Sequence, residues 1–172
     1  MEIHKQEQIM SEVQDATHDQ DLTTDGSQFL TFTLKGEEFG IQILRVQEIK
    51  GISRITPIPN VPAYIRGVMN LRGTVVPIVD LRAKFEMPEA EYNQFTVIIV
   101  VTIGSKVMGL VVDAVSDVLN VSDDNIEAAP DLGAEADTRF MDGIAKSGDR
   151  LITLLNMDEL VDLEAVSMQT GA

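Results

Sequence analysis

A chain of 172 residues, 44% hydrophobic and 24% charged, has the make-up of one globular domain or two small lobes around a shared core. It holds no cysteine, which excludes disulfides, thiolate nucleophiles and cysteine-ligated metal centres. A net charge of −15 argues against nucleic acid or an anionic membrane surface as partner, and the longest unbroken aliphatic run, Val97–Val101, is far short of the roughly 20 residues that cross a bilayer.

Residues 1–27 form an acidic leader. Seven acids against one base, Lys5, give residues 1–28 a net charge of −6, leaving −9 for the rest. The leader is poor in apolar residues and rich in Gln, Asp and Thr, so it reads as disordered, with a short amphipathic helix over residues 2–14 as the alternative. It lacks the apolar core of a secretory signal, and a cytoplasmic location follows. Both histidines, His4 and His18, lie here. The body therefore has neither His nor Cys, which removes the commonest bases, nucleophiles and transition-metal ligands.

From Phe29 the pattern changes to short β-branched runs separated by turn residues. Phe29–Leu34 and Glu38–Ile43 make a hairpin across Lys35-Gly36-Glu37. Ile49–Ile58 is extended and ends at Pro57 and Pro59. Val61–Val68 fits a short helical turn with Pro62 near its start. Thr74–Val79 is a strand, and Thr96–Ile103 with Val107–Val112 forms a second hairpin. Val115–Val121 and Leu151–Leu155 add strands. A final helix starts at Asn156 as N-cap, with acids in its first turn. Such spacing predicts an all-β fold of small barrels or a sandwich with few helices.

The chain also repeats. A shift of 69 residues lays FTLKGEEFGIQILRVQEI (32–49) on VTIGSKVMGLVVDAVSDV (101–118), matching Gly40 to Gly109 and Glu48 to Asp117. A shift of 76 lays 65–81 on 141–157, matching Gly67 to Gly143 and Asp80 to Asn156. The difference falls in an acidic loop around residues 130–137. Two similar lobes follow, about 29–90 and 95–161, whose strands could be exchanged, with a tail at 162–172. Gly40 and Gly109 mark a bulge or barrel corner in this reading, and Gly67 and Gly143 end a helical turn.

No constellation for chemistry emerges. Phosphate-binding glycine runs, HExxH and EF-hand loops are missing. Asp113, Asp117, Asp123 and Asp124 match no cation loop and read as a solvated face. Asp80, at a strand end, is similar to the phospho-acceptor of a receiver domain, but that fold is parallel α/β. No cofactor, metal or catalytic residue is expected. What stands out is PIPNVPAYIRGVMNLRG (57–73), where Arg72 sits among proline, Tyr64 and Met69 in the composition of an interface. Arg72 is either a fork offered to a partner carboxylate or half of an internal ion pair with an acid such as Glu48, and one residue could do both.

The stretch GVMNLRGTVVPIVDLR (67–82), preceded by PNVPAYI, resembles the most characteristic segment of the CheW-type chemotaxis coupling proteins. The resemblance runs in order through TVIIVV, MGLVVDAVSDVL and RLITLLNMDEL, covering about residues 28–161. It implies two tandem five-stranded SH3-like barrels and a non-catalytic adaptor joining the cytoplasmic tips of chemoreceptors to the regulatory domain of a CheA-type histidine kinase, at membrane-associated arrays. The chain's length fits the stand-alone adaptor of that family. Val46, Glu48 and Arg72 match positions of receptor contact, near the groove between lobes. Gly67, Val97, Val115 and Val118 match positions whose alteration disturbs partner binding, by contact or by supporting the barrels.

Overall fold

The computed structural model describes residues 7–11, 13, 27–129 and 139–160. Eleven strands occur among them: β1 (Ser27–Leu34), β2 (Glu37–Gln42), β3 (Val46–Gly51), β4 (Ile65–Leu71), β5 (Thr74–Asp80), β6 (Val97–Ile103), β7 (Lys106–Val112), β8 (Ala114–Val121), β9 (Ile126–Glu127), β10 (Met141–Ser147) and β11 (Arg150–Leu155). Short helical turns follow β5 (Leu81–Lys84) and β11 (Met157–Leu160).

The strands form two sheets, in the orders β3-β6-β7-β5-β4 and β8-β1-β2-β11-β10-β9. Under the two sequence shifts, these orders are the same list. The two-residue β9 has its counterpart in the isolated bridge between Thr56 and Val68. Each unit is thus a five-stranded barrel with one extra rung. The hairpins β1–β2 and β6–β7 change places. β2 pairs in parallel with β11, and β7 in parallel with β5. Strands β1–β5 therefore repeat as β6, β7, β8, β10 and β11, while each barrel is closed by the hairpin of the other half.

The apolar residues divide by strand parity. Ile98 and Val100 of β6 face the interior of one barrel with Met69, Leu71, Val76, Ile78 and Val111. Phe29, Val121, Ala145, Ile152 and Leu154 fill the other. Val97, Ile99 and Val101 point the opposite way, into a larger core between the sheets that includes Leu30, Phe32, Ile41, Met108, Leu110 and Leu155. Alternate residues of one strand thus line two different cores, which is why β6 reads as the continuous apolar run VIIVV. A stack of Phe32, Phe39 and Phe85 crosses the shared core at centroid spacings of 6.0 and 5.9 Å.

Gly40 and Gly109 sit in unbroken ladders, so the expectation of a bulge there fails. Their role is close packing where the exchanged hairpin meets its parallel neighbour. A Cβ on Gly109 would lie 2.7 Å from Ile98 and 2.8 Å from Ile78; on Gly40 the nearest side-chain atoms, of Leu154 and Ile152, lie at 3.1 and 3.2 Å. The obstacles are methyl ends, which can shift. Gly109→Ala should cost about 1–2 kcal/mol and Gly40→Ala less, measured as shifts in the urea midpoint at constant m-value. Equal costs would mean that the backbone, not these contacts, sets the penalty.

Two further expectations change. Val61–Val68 is not helical. Ile65 N–H donates to Pro62 C=O in a single turn, and the chain then extends into β4, because the rest of the segment has ladder partners in β5. The reading of residues 1–27 as disordered also fails where the leader is described. Residues 7–11 and 13 are helical, with Ile9 and Val13 buried in the core between the sheets. Two aliphatics four apart suffice to anchor one face of a helix, an effect that mean composition hides. The 130–137 loop and residues beyond 160 lie outside the described residues.

Candidate docking surface

The candidate residues sort by what their side chains do. Glu48 follows a bulge in β3: Val46 pairs with Val101 and Glu48 with Val100, leaving Gln47 unpaired. Such an insertion re-aims the next side chain. β8 carries the same insertion at Ser116, opposite β1, just before Asp117. In each half the acid beyond the bulge then meets an arginine from a later hairpin. Glu48 accepts from Arg72 Nη2 at 2.5 Å. Asp117 accepts from Arg150 Nη1 and Nη2, both at 3.1 Å, while Arg150 also grips Glu38. Thr31, fully buried, donates its hydroxyl to Asp117.

Arg72 occupies the tip of the β4–β5 hairpin at φ +50°, followed by Gly73 at φ +87°. The Asn70 carboxamide oxygen accepts the Gly73 N–H at 2.8 Å and pins this turn. The guanidinium is thus presented by a fixed backbone, with 69% of its side chain exposed against 21% for Glu48. The hydrogen bond to Glu48 and its charge raise the Arg72 pKa, so the group is permanently cationic. The internal pair of Arg72 with Glu48 is present, and its arginine side faces solvent.

The other candidates present little surface. Val46 and Val97 are 4% exposed and Val115 8%, all within the core between the sheets. Val118 is half-buried against the same core. Gly67 is not the end of a helical turn. It lies beyond a bulge in β4, where Ile65 pairs with Val79, Gly67 with Ile78, and Arg66 is unpaired. Its φ is +143°, and a Cβ there would fall 2.1 Å from the Thr56 carbonyl oxygen. Gly143 repeats the bulge and the close approach, 2.5 Å from the Glu127 carbonyl oxygen, without the positive φ.

Of the carboxylates that sequence singled out, Asp123 and Asp124 are exposed, whereas Asp80, Asp113 and Asp117 have structural employment. Asp80 is 5% exposed and caps the turn Leu81–Lys84 through the N–H groups of Arg82 and Ala83. It also accepts from Arg66 Nε at 3.3 Å and Tyr92 Oη at 2.9 Å. Burial first, and the neighbouring Asp80 charge second, push the Tyr92 phenol up to about 12, so it stays a donor. An aspartate held by four donors, with no parallel α/β frame, is a cap and not a phospho-acceptor. Its repeat partner Asn156 caps Met157–Leu160 in the same way. Among the described residues, no group of three acids or histidines is placed to hold a metal ion.

Asp113 takes both prongs of Arg82, at 2.7 and 2.5 Å, and the Lys35 N–H at 2.9 Å. Burial pushes its carboxyl up, but the hydrogen bonds from Arg82 and Lys35 and the Arg82 charge outweigh it and hold the pKa below the ordinary 3.8. A depressed folded pKa contributes stability that is full above the unfolded pKa and fades as pH falls through the folded one. The stability gap between the native chain and Asp113→Asn should therefore be constant above about pH 5 and shrink in acid, in urea titrations from pH 7 to pH 3. A gap independent of pH would remove the ion pair as its cause.

Sequence reasoning missed the exposed apolar positions. Leu44, Val75 and Leu151 are 63%, 60% and 64% exposed. Val75 and Leu151 are equivalent under the shift of 76, at the starts of β5 and β11. That equivalence was available in the aligned repeat, but a valine at a strand start carries no mark of facing water.

The fold is thus two β-barrels with exchanged hairpins, carrying an exposed, ion-paired arginine at a fixed hairpin tip. The chain belongs to the CheW-like domain family, whose model matches residues 28–165. It is 43% identical over 145 residues to the chemotaxis protein CheW of Klebsiella aerogenes, covering 84% of this chain and 87% of that one. Identity to the CheW of Rhizobium meliloti is 42% over 143 residues, covering 83% and 92%. Among solved structures, the crystal structure of the scaffolding protein TtCheW from Thermoanaerobacter tengcongensis superposes with a TM-score of 0.74 at 34% identity, over 78% of this chain and 92% of that chain. The barrels are SH3-like and the chain is a non-catalytic chemotaxis coupling scaffold. No helix among the described residues is long and apolar enough to cross a membrane.

Proposed function

We propose that this scaffold joins the cytoplasmic tips of chemoreceptors to the regulatory domain of a CheA-type histidine kinase, and is recruited by them to membrane-associated arrays. The observation that carries the receptor half is the Arg72–Glu48 pair: a permanent cation on a rigid hairpin tip, paired yet mostly exposed. Such a group can exchange or share its carboxylate with a partner at little desolvation cost. Val46, Val97, Val115 and Val118 act by holding the two sheets on their common core, and Gly67 by letting the chain pass Thr56. The kinase half is supported by the exposed pair Val75 and Leu151, one on each barrel, which suits pairing with a domain of like fold. Each contact would be of ordinary or small size, about 800 Å² per partner or less, with strength coming from the array. Receptor state would then bias how the kinase is held, without chemistry in this chain.

The test is a titration of the full chain against the kinase regulatory domain and against a receptor-tip fragment, separately and together. Saturable binding to both, each retained in the presence of the other, is the expected result. Binding to neither by the folded chain would reduce the family likeness to a likeness of fold.

A further inference from the structure

β3 is an edge strand in the hydrogen-bond order of its sheet, and an uncovered edge is a template for unwanted pairing. Here the chain's own leader lies on it. The Ile49 N–H donates to the Met10 Sδ at 3.3 Å, while Ile9 (3% exposed) and Val13 (1%) enter the core between the sheets, where Val46 and Ile49 of β3 also sit. Glu7, Gln8 and Ser11 face solvent. The occupant is thus an amphipathic segment with two aliphatic anchors four residues apart and one thioether on the strand edge.

Two observations make this occupant displaceable. A thioether is a weak acceptor for a backbone N–H. The family match begins at residue 28, so the segment lies outside the matched domain. The strand it covers also carries Glu48, the residue next to the Ile49 whose N–H it occupies.

We propose that residues 7–11 and 13 are a displaceable occupant of the β3 edge, holding in cis the ground beside Glu48 that a partner's amphipathic helix, with aliphatics at i and i+4, takes in trans. The inference rests on the reading of Glu48 and Arg72 as the receptor contact. Apparent affinity for such a partner is then lowered by the fraction of chains in which the edge is covered.

The experiment uses the full chain and the full-length variant Ile9→Asp/Val13→Asp, with the milder Ile9→Ser/Val13→Ser as substitute if the first does not fold. Hydrogen exchange at the Ile49 amide reads the cis contact directly and should speed at least roughly tenfold in the variant. The receptor-tip fragment should bind the variant about three- to tenfold more tightly than the native chain, with binding of the kinase regulatory domain unchanged. Unchanged exchange at Ile49 overturns the inference. So does an equal or weaker receptor affinity in the variant while the native chain binds, which leaves the reading of Glu48 and Arg72 intact. Binding of the fragment by neither chain overturns that reading and this inference with it.

Discussion

Gly67→Ala should unfold the domain. The added Cβ would sit 2.1 Å from the Thr56 carbonyl oxygen and 2.7 Å from its carbon, both backbone atoms, at a φ of +143° that an L-residue resists. Neither Thr56 nor Gly67 can retreat alone, because Thr56 and Val68 exchange two hydrogen bonds, at 2.8 and 2.9 Å, across that spot. Breaking the bridge frees the segment that links β3 to β4. A loss of about 4 kcal/mol or more is of the order of a small domain's whole stability. Gly143→Ala meets the Glu127 oxygen at 2.5 Å in the other barrel and should be nearly as damaging. Gly148→Ala is the control: its φ is +61°, but nothing lies within 4 Å, so only the backbone strain of about 1–2 kcal/mol applies. Far-UV circular dichroism with urea denaturation measures all three. If Gly67→Ala is folded with a native midpoint yet binds no partner, Gly67 is a contact after all.

The same glycine shows where sequence reasoning reaches and where it stops. Its equivalence to Gly143 was legible, because a duplicated chain keeps a glycine wherever a Cβ is forbidden. What forbids it was not. Pro62 and the polar spacing of PAYIRG fit a helical turn as well as a turn entering a strand, and only the ladder with β5 decides between them. The hairpins were legible for a similar reason: their pairing is local and their turns hold Gly36 and Gly104. Their exchange between barrels was open as a possibility but not decidable, since a hairpin matches either copy of a repeat equally well in sequence. The site divides likewise. From the residues, Arg72 was open as half of an ion pair with an acid such as Glu48 or as a group offered to a partner. The bulge at Gln47 that aims Glu48 leaves no residue-level trace, and the burial of Val46 is visible only once β3 is placed over the core between the sheets.

Arg72→Ala should weaken binding of the receptor tip about tenfold or more while leaving the unfolding midpoint almost where it was. The two effects separate because they draw on different surroundings. In the free chain the Arg72–Glu48 pair is solvent-facing on the arginine side, and an exposed pair adds little to stability. In the proposed complex the same guanidinium would be desolvated, and removing it would leave a carboxylate without its partner, which costs far more. Glu48→Ala should be milder than Arg72→Ala if the arginine is the group that reaches across. The deciding variant is the exchange Glu48→Arg/Arg72→Glu. It rebuilds the internal pair with its polarity reversed, so any role confined to the chain is restored. A receptor tip that recognises a cation at the hairpin tip would still be refused, and would meet an acid there instead. Recovery of binding in the exchanged chain, measured by titration calorimetry beside the single variants, would assign Arg72 to the fold. Loss of binding with a native midpoint would assign it to the partner.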